Sequence, residues 1–140
     1  MMSQHVLLDS NIIVDYALQR PDFVENARKI VEHIETGTIV GCMSSSAVTD
    51  VYYIVERQTT RDRAWKMMEF IDQTLWILPV IRKTIREALD SGMFDFEDAV
   101  QAAAAQDFGI DIIVTRDKTG FHDSTLRVYS PEEFLEAMKQ

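Results

Sequence analysis

A chain of 140 residues, 46% hydrophobic and 26% charged, has the makeup of a folded domain rather than a disordered tail, and its length predicts one domain over residues 1–140. Fourteen basic against 23 acidic residues leave a net charge of −9; this excludes a protein that holds nucleic acid by bulk positive charge, but not a nuclease, because bound cations reverse the sign of an acidic pocket locally. No apolar stretch nears the roughly 18 residues of a membrane span, no basic-then-apolar leader opens the chain, and Cys42 is a lone cysteine with no internal partner; a reducing, cytoplasmic setting away from membranes is expected.

Residues 6–8 form a short apolar run that reads as a fully buried strand. SNIIVDYALQ (10–19) then reads as a helix capped by Ser10 or Asn11. In DFVENARKIVEHIETG (22–37), Phe23, Ala27, Ile30, Val31 and Ile34 recur at helical spacing until Gly37 ends the pattern. TIVGCM (38–43) is a second strand, lightly broken by Gly41, and SSSAVTDVYYIVERQ (44–58) is a serine-capped amphipathic helix. TRDRAWKMMEFIDQT (60–74) is another helix, opened by Thr60 or its neighbour. LWILPV (75–80) is a third strand ended by Pro79, residues 81–91 are helical up to Gly92, and FEDAVQAAAAQDFG (96–109) is an alanine-rich helix. DIIVT (111–115) is a fourth strand, LRVYS (126–130) a short fifth at an edge, and Pro131 opens the last helix. Strands alternating with helices predict a parallel sheet covered on both faces. The polar stretch RDKTGFHDST (116–125) directly follows a strand, where open α/β sheets place their binding crevice.

The acids fall in a pattern. Asp9 ends the first strand, and Asp117 lies just past the fourth. If those strands are neighbours, parallel pairing brings both acids to one sheet edge. Asp95 and Asp98 open the alanine-rich helix; Asp95 is the expected cap and Asp98 the expected site residue. That helix is apolar nearly all round, from Phe96 to Phe108, so it is expected in the interior with its acidic end near the strand ends. At about 100° per residue, Asp50 sits on the rim of its helix beside Ala47 and Ile54, while Glu56 faces solvent. Each acid alone has an ordinary structural explanation as a cap, turn or boundary residue. Gathered, four carboxylates repel, and a divalent cation removes the conflict. All-oxygen ligands without a histidine or cysteine cluster suit Mg²⁺ or Mn²⁺.

VLLDSNIIVD, SSSAVTDVYYIVER, DFEDAVQAAAA and DIIVTRD together, from Val6 to about Tyr129, resemble the motifs of PIN-domain ribonucleases, and among them the VapC-like toxins of toxin–antitoxin pairs. The resemblance implies a three-layer α/β/α fold around a parallel sheet of four or five strands. It implies a metal-dependent ribonuclease that cuts single-stranded RNA, a homodimer, and an antitoxin whose C-terminal segment fills the acidic cleft. By motif, Asp9 and Asp98 are the first and third acids and would hold metal directly. Asp50 stands where the family most often has glutamate, a longer side chain, and would hold metal or orient water. Asp117 would complete the shell, Asn11 and Thr115 match polar positions lining the pocket, and Arg116, Lys118 and Arg57 are candidate phosphate contacts. Thr119 and Gly120 stand where many relatives carry a further acid before the phenylalanine matching Phe121. Trp65, Met67, Met68 and Phe70 offer an apolar face for a second copy. Two other classes share parts of this pattern: a binding module with a vestigial pocket, and an enzyme phosphorylated on Asp9. The latter lacks the second aspartate expected at Asn11 or an acidic pair before Asp9.

Overall fold

The computed structural model describes residues 3–139. Five strands, β1 (Gln4–Leu8), β2 (Ile39–Ser44), β3 (Trp76–Leu78), β4 (Ile112–Val114) and β5 (Arg127–Tyr129), form one sheet in the order β3-β2-β1-β4-β5. Every pairing is parallel. Seven helices intervene or follow: α1 (Ser10–Leu18), α2 (Val24–Glu35), α3 (Ser45–Gln58), α4 (Arg61–Thr74), α5 (Arg82–Asp90), α6 (Phe96–Asp107) and α7 (Pro131–Met138). This is the expected three-layer α/β/α arrangement, with β5 at an edge.

Period-two alternation divides the core between the two faces. Val6 and Leu8 of β1, Met43 of β2, and Ile112 and Val114 of β4 point to one side, where they pack with Ile12 and Ile13 of α1, Ile30 of α2, Val51 of α3, Ile71 of α4 and Phe134 of α7. Leu7, Cys42 and Ile113, the intervening residues, point to the other side and meet Ala102, Ala104 and Ala105 of α6. Only small side chains let a helix lie so close to a sheet, which is why α6 is built of alanine. α5 lies outside it, joined through Ala88, Ala99 and Val100.

Several boundaries differ from the sequence reading, each for a local reason. α1 is capped by Asp9, not by Ser10 or Asn11: the backbone of Asp9 is extended and its carboxylate accepts from the Ser10 N–H at 2.7 Å. β2 runs unbroken through Gly41, because a side chain there would strike Ile34 and Leu75 packed above the strand. Phe23 lies before the first turn of α2 and is 40% exposed, so it is not part of that helix's buried stripe. Phe96 and Phe108, at the two ends of α6, are half exposed, although its middle is buried as expected. Met67, Met68 and Phe70 are partly buried against the core, whereas Trp65 stands 52% exposed, edge-on to Tyr52. Thr60, Ser44, Asp95 and Ser130 cap their helices through their side chains.

Gly41 gives a test of this packing. Gly41→Val is expected to lower unfolding free energy by about 1–3 kcal/mol through overpacking, measured by urea denaturation.

Candidate active site

Strands β1 and β4 are neighbours, registered Leu7 to Ile113 and Leu8 to Val114. Their C-terminal ends therefore lie side by side, and the N–H of Asp9 donates to the Val114 carbonyl at 3.1 Å. Asp9 is buried at 8% exposure. The Thr115 hydroxyl donates to its Oδ2 at 2.7 Å, and the Asn11 amide approaches the same oxygen at 3.4 Å. On Oδ1, the Ser10 N–H is joined by Gln101 Nε2 at 3.3 Å. One short bond on each oxygen fixes the carboxylate, and a longer contact from Gln101 or Asn11 falls on the second acceptor site of each. Thr115 also accepts from the Asp117 N–H at 3.0 Å, so one buried hydroxyl sets the backbone beside Asp117 while holding Asp9. Asp117, itself exposed, accepts from the Thr119 hydroxyl at 2.7 Å.

Asp98 and Asp95 divide their work as the sequence suggests. Asp95 accepts from the Asp98 N–H at 2.9 Å and so caps α6, leaving the Asp98 carboxyl free. Burial pushes the Asp98 pKa up to about 7, and the charges of Asp95, Asp9 and Asp117 add to it. Gly120 shows why no side chain, acidic or otherwise, stands at that position of the following loop. A Cβ on Gly120 would run into Oδ2 of Asp98. The short 3₁₀ turn Lys118–Phe121 must pass this close, and only glycine lets it.

Glu97, which sequence reasoning passes over, belongs to the group. Its carboxyl shares a hydrogen bond with Asp50, and this contact, then desolvation, then the charges of Asp50, Asp9 and Asp95, push its pKa up to about 8. Asp50 lies half-buried on the α3 rim where the helical arithmetic puts it. The only clue to Glu97 is its place in the chain: the acid sits between Phe96 and Asp98 in the first turn of an otherwise apolar helix.

The acids thus share one electrostatic site at the sheet edge. Among the described residues, however, no three acidic, histidine or cysteine side chains already stand as a ligand cage. The sequence reading expects tighter convergence. Glu97 lies against Asp50, and Asp98 lies against Gly120. The donors still suit a hard cation: they are all oxygen, and two of them, Glu97 and Asp98, are driven toward protonation by burial and neighbouring carboxylates. A further sign is Gln101, 1% exposed, whose Oε1 has no hydrogen-bond partner. Its Nε2 is committed to Asp9, so the unpaired oxygen calls for a donor such as a water at the site.

Of the remaining expected residues, Asn11 and Thr115 line the pocket. Arg116 is held away from it: its Nε and Nη2 reach the buried carboxylate of Asp15 at 2.6 and 3.2 Å. Lys118 pairs with Glu133, whose pKa that contact helps lower to about 2. Arg57 is exposed on α3. His5 packs edge-on to Trp76, and His122 is exposed; neither approaches the acids.

A family model described as PIN domain matches residues 5–119. The chain belongs to the PIN domain family. Ribonuclease VapC1 of Aquifex aeolicus (strain VF5) is 26% identical over 141 residues, covering 97% of this chain and 96% of that protein. DNA-bound VapBC from Salmonella typhimurium superposes with a TM-score of 0.70 at 17% identity, over 94% of this chain and 99% of the other. VapC20 of Mycobacterium tuberculosis, a sarcin–ricin-loop-cleaving toxin, gives 0.67 at 12% identity over 82% and 92%. At such identities the superpositions establish a shared PIN fold. Among the described residues no helix is long and apolar enough to cross a membrane.

The raised acids of this PIN domain give a pH prediction. Folded, Asp98 keeps its proton to about 7 and Glu97 to about 8, whereas their ordinary values are 3.8 and 4.5. Between those limits the folded chain holds more protons than the unfolded one, so stability falls as pH rises. In chelator, the melting temperature should climb as pH drops from about 8 to about 5.5, and Asp98→Asn should flatten that climb. A differential scanning calorimetry series reads it directly.

Proposed function

We propose that this PIN domain, read as one unit over residues 1–140, is a Mg²⁺- or Mn²⁺-dependent endoribonuclease of single-stranded RNA and the toxin of a toxin–antitoxin pair. The observation that carries the proposal is the fixed, buried Asp9 carboxylate with Asp98, Asp50, Glu97 and Asp117 crowded around it at the sheet edge, in a chain similar throughout to a VapC ribonuclease. By this reading it acts in the cytoplasm, as a homodimer, with an antitoxin segment entering the acidic cleft.

Asp9 and Asp98 would hold the cation, with Asp50, Glu97 and Asp117 completing the acidic shell. When bound, the ion supplies charge neutralisation and Lewis acidity for phosphodiester hydrolysis. The chain does the rest. Thr115 and the Ser10 N–H keep the Asp9 carboxylate at one angle. Gln101 backs it from α6 and offers Oε1 to a water. Asp98 and Glu97, both raised toward protonation, would have to be deprotonated to hold a cation. Gly120 lets the 3₁₀ turn close over Asp98, so the acid is shielded from bulk solvent on that side.

Titration calorimetry with Mn²⁺ tests the assignment. Wild type is expected to bind, with proton release at pH 6.5 seen as a dependence on buffer ionisation heat. Asp9→Asn should lose binding, and Gln101→Ala should weaken it by about 10- to 100-fold, as for other residues that orient metal ligands. RNA cleavage should require added metal and vanish in Asp98→Asn. Equal, tight Mn²⁺ binding by wild type and Asp9→Asn would refute the site. Metal binding without cleavage of any RNA would favour a vestigial module.

A further inference from the structure

A protein of net charge −9 that cuts a polyanion needs some place to hold it. Two positive charges flank Asp117 in sequence: Lys118, which pairs with Glu133, and Arg116, between Thr115 and Asp117. Its guanidinium is fixed in an unusual way. Asp15, 1% exposed, accepts from Arg116 at 2.6 and 3.2 Å and from Arg20 Nη1 at 3.2 Å. Two guanidiniums on one buried carboxylate leave a surplus of one positive charge. Neither is sealed in: the Arg20 and Arg116 side chains remain 33% and 28% exposed.

The Arg116 guanidinium also lies over the ring of Phe23, 3.9 Å from its centroid. Phe23 is the aromatic that the helical pattern wrongly places in the core. It stands 40% exposed at the end of the turn after α1, and its N–H donates to the Arg20 carbonyl at 3.0 Å. Phe23 and Arg116 together wall a cavity of about 410 Å³, closed by Asn26 of α2 and by Ser130, Pro131 and Glu132 at the start of α7. That volume falls within the roughly 300–1,000 Å³ usual for small-ligand sites. An aromatic ring and a planar guanidinium already stacked are the pair that single-stranded nucleic acid uses as a platform for a base. Asn26 and Ser130 supply hydrogen-bonding groups for a base edge. Glu132 gives the α7 wall a negative sign, so a phosphate belongs on the Arg20 side.

We infer that Phe23, Arg116, Arg20 and Asn26 form a nucleotide-binding subsite for single-stranded RNA, flanking the bond to be cut. The base stacks on the Phe23–Arg116 pair, and its phosphate meets the charge that Asp15 leaves uncompensated. The inference rests on the ribonuclease reading for its choice of RNA. It also explains why Asp15 is buried between two arginines. One carboxylate pre-sets both guanidiniums, so little side-chain freedom is lost when RNA arrives.

The test uses the full chain carrying Asp98→Asn, in Mg²⁺, so that RNA binds without being cut. Fluorescence anisotropy is read with short fluorescein-labelled oligo(A) and oligo(U) RNA. Adding Phe23→Ala should weaken both by about 5- to 150-fold, the worth of one stacked base. Phe23→Trp, which keeps a π face, should restore binding, and Phe23→Leu, which keeps only apolar bulk, should not. Arg20→Gln leaves Arg116 on Asp15 and should lower the slope of log affinity against log salt by about 0.7, one phosphate contact on a single strand. Unchanged RNA affinity in Phe23→Ala overturns the inference, as does equal binding by the Leu and Trp substitutions. Phe23→Ala that spares RNA but weakens the antitoxin gives the cavity to a protein partner and overturns it too. If wild type cuts no RNA yet binding still depends on Phe23, the subsite stands and the ribonuclease reading falls. Cleavage with an indifferent Phe23 has the opposite meaning.

Discussion

The carboxylate of Asp9 ties together parts of the chain that are distant in sequence. It receives the first N–H of α1, the hydroxyl of Thr115 just past β4, and the amide of Gln101 on α6, with Asn11 beside it. β1 is the central strand, so this one group sits where the two layers of helices and the middle of the sheet meet. Burying a charge is tolerable only when donors surround it, and here the donors come from both faces. The dependence runs both ways, because without the carboxylate Thr115 and Gln101 would be left as buried, unpaired polar groups. The residue expected to carry the chemistry is therefore also one that aligns the fold. A carboxylate so enclosed cannot swing, which is a requirement for holding a ligand at a set angle and a poor trait in a merely capping aspartate.

How much of this is legible in the sequence depends on what kind of signal each residue leaves. Strand runs and helical spacing leave strong ones, because burial enforces periodicity. The five strands, the interior placement of the middle of α6, and the division between Asp95 as cap and Asp98 as free acid all follow from such patterns. The resemblance to PIN domains rests on the same stretches that the family model covers. Phe23 misleads for the same reason that the others succeed: it falls in register with a buried stripe, but it lies just outside the helix, where register has no force. Glu97 is hidden because its spacing from Asp98 is one residue, and neighbours on a helix face different ways. Its contact with Asp50 exists only across the gap between α3 and α6. Gln101 leaves no trace at all, since a single polar residue in an alanine run reads as an exposed position. The Asp15 clamp is likewise invisible, because its partners Arg20 and Arg116 come from opposite ends of the chain.

Charge is sorted at short range even though the total is simply acidic. Glutamates and aspartates far from the sheet edge meet lysines and arginines in ordinary surface pairs, such as Lys83 with Asp107 and Lys118 with Glu133. Pairs of that kind contribute little to stability. At the edge, Asp98 and Glu97 have no such partners among the described residues and shift toward their protonated forms instead. Beside them, Asp15 collects two arginines and inverts the sign. An acidic well next to a small cationic shelf is a field that a uniformly charged surface could not produce, and it separates the group that would attract a cation from the group that would attract a phosphate. The bulk charge of −9 then acts against loose association with any polyanion, leaving the local arrangement to select what binds.

The Asp50–Glu97 contact bears on the one place where the chain departs most plainly from its family's usual residues. Asp50 has one methylene fewer than the glutamate that the family resemblance leads one to expect there, and it lies half-buried on the rim of α3. Glu97 has the longer arm and starts from α6, on the far side. The two carboxyls interact, and contact with Asp50 is the main cause of the raised Glu97 pKa. α3 and α6 thus each bring one carboxyl to a shared contact. A cost comes with that solution: the pair is stable only while it holds a proton or faces a cation, because two bare carboxylates at hydrogen-bonding distance repel strongly. In the free protein Glu97 therefore keeps its proton up to about 8 beside Asp50, and positive charge at the site would favour its release.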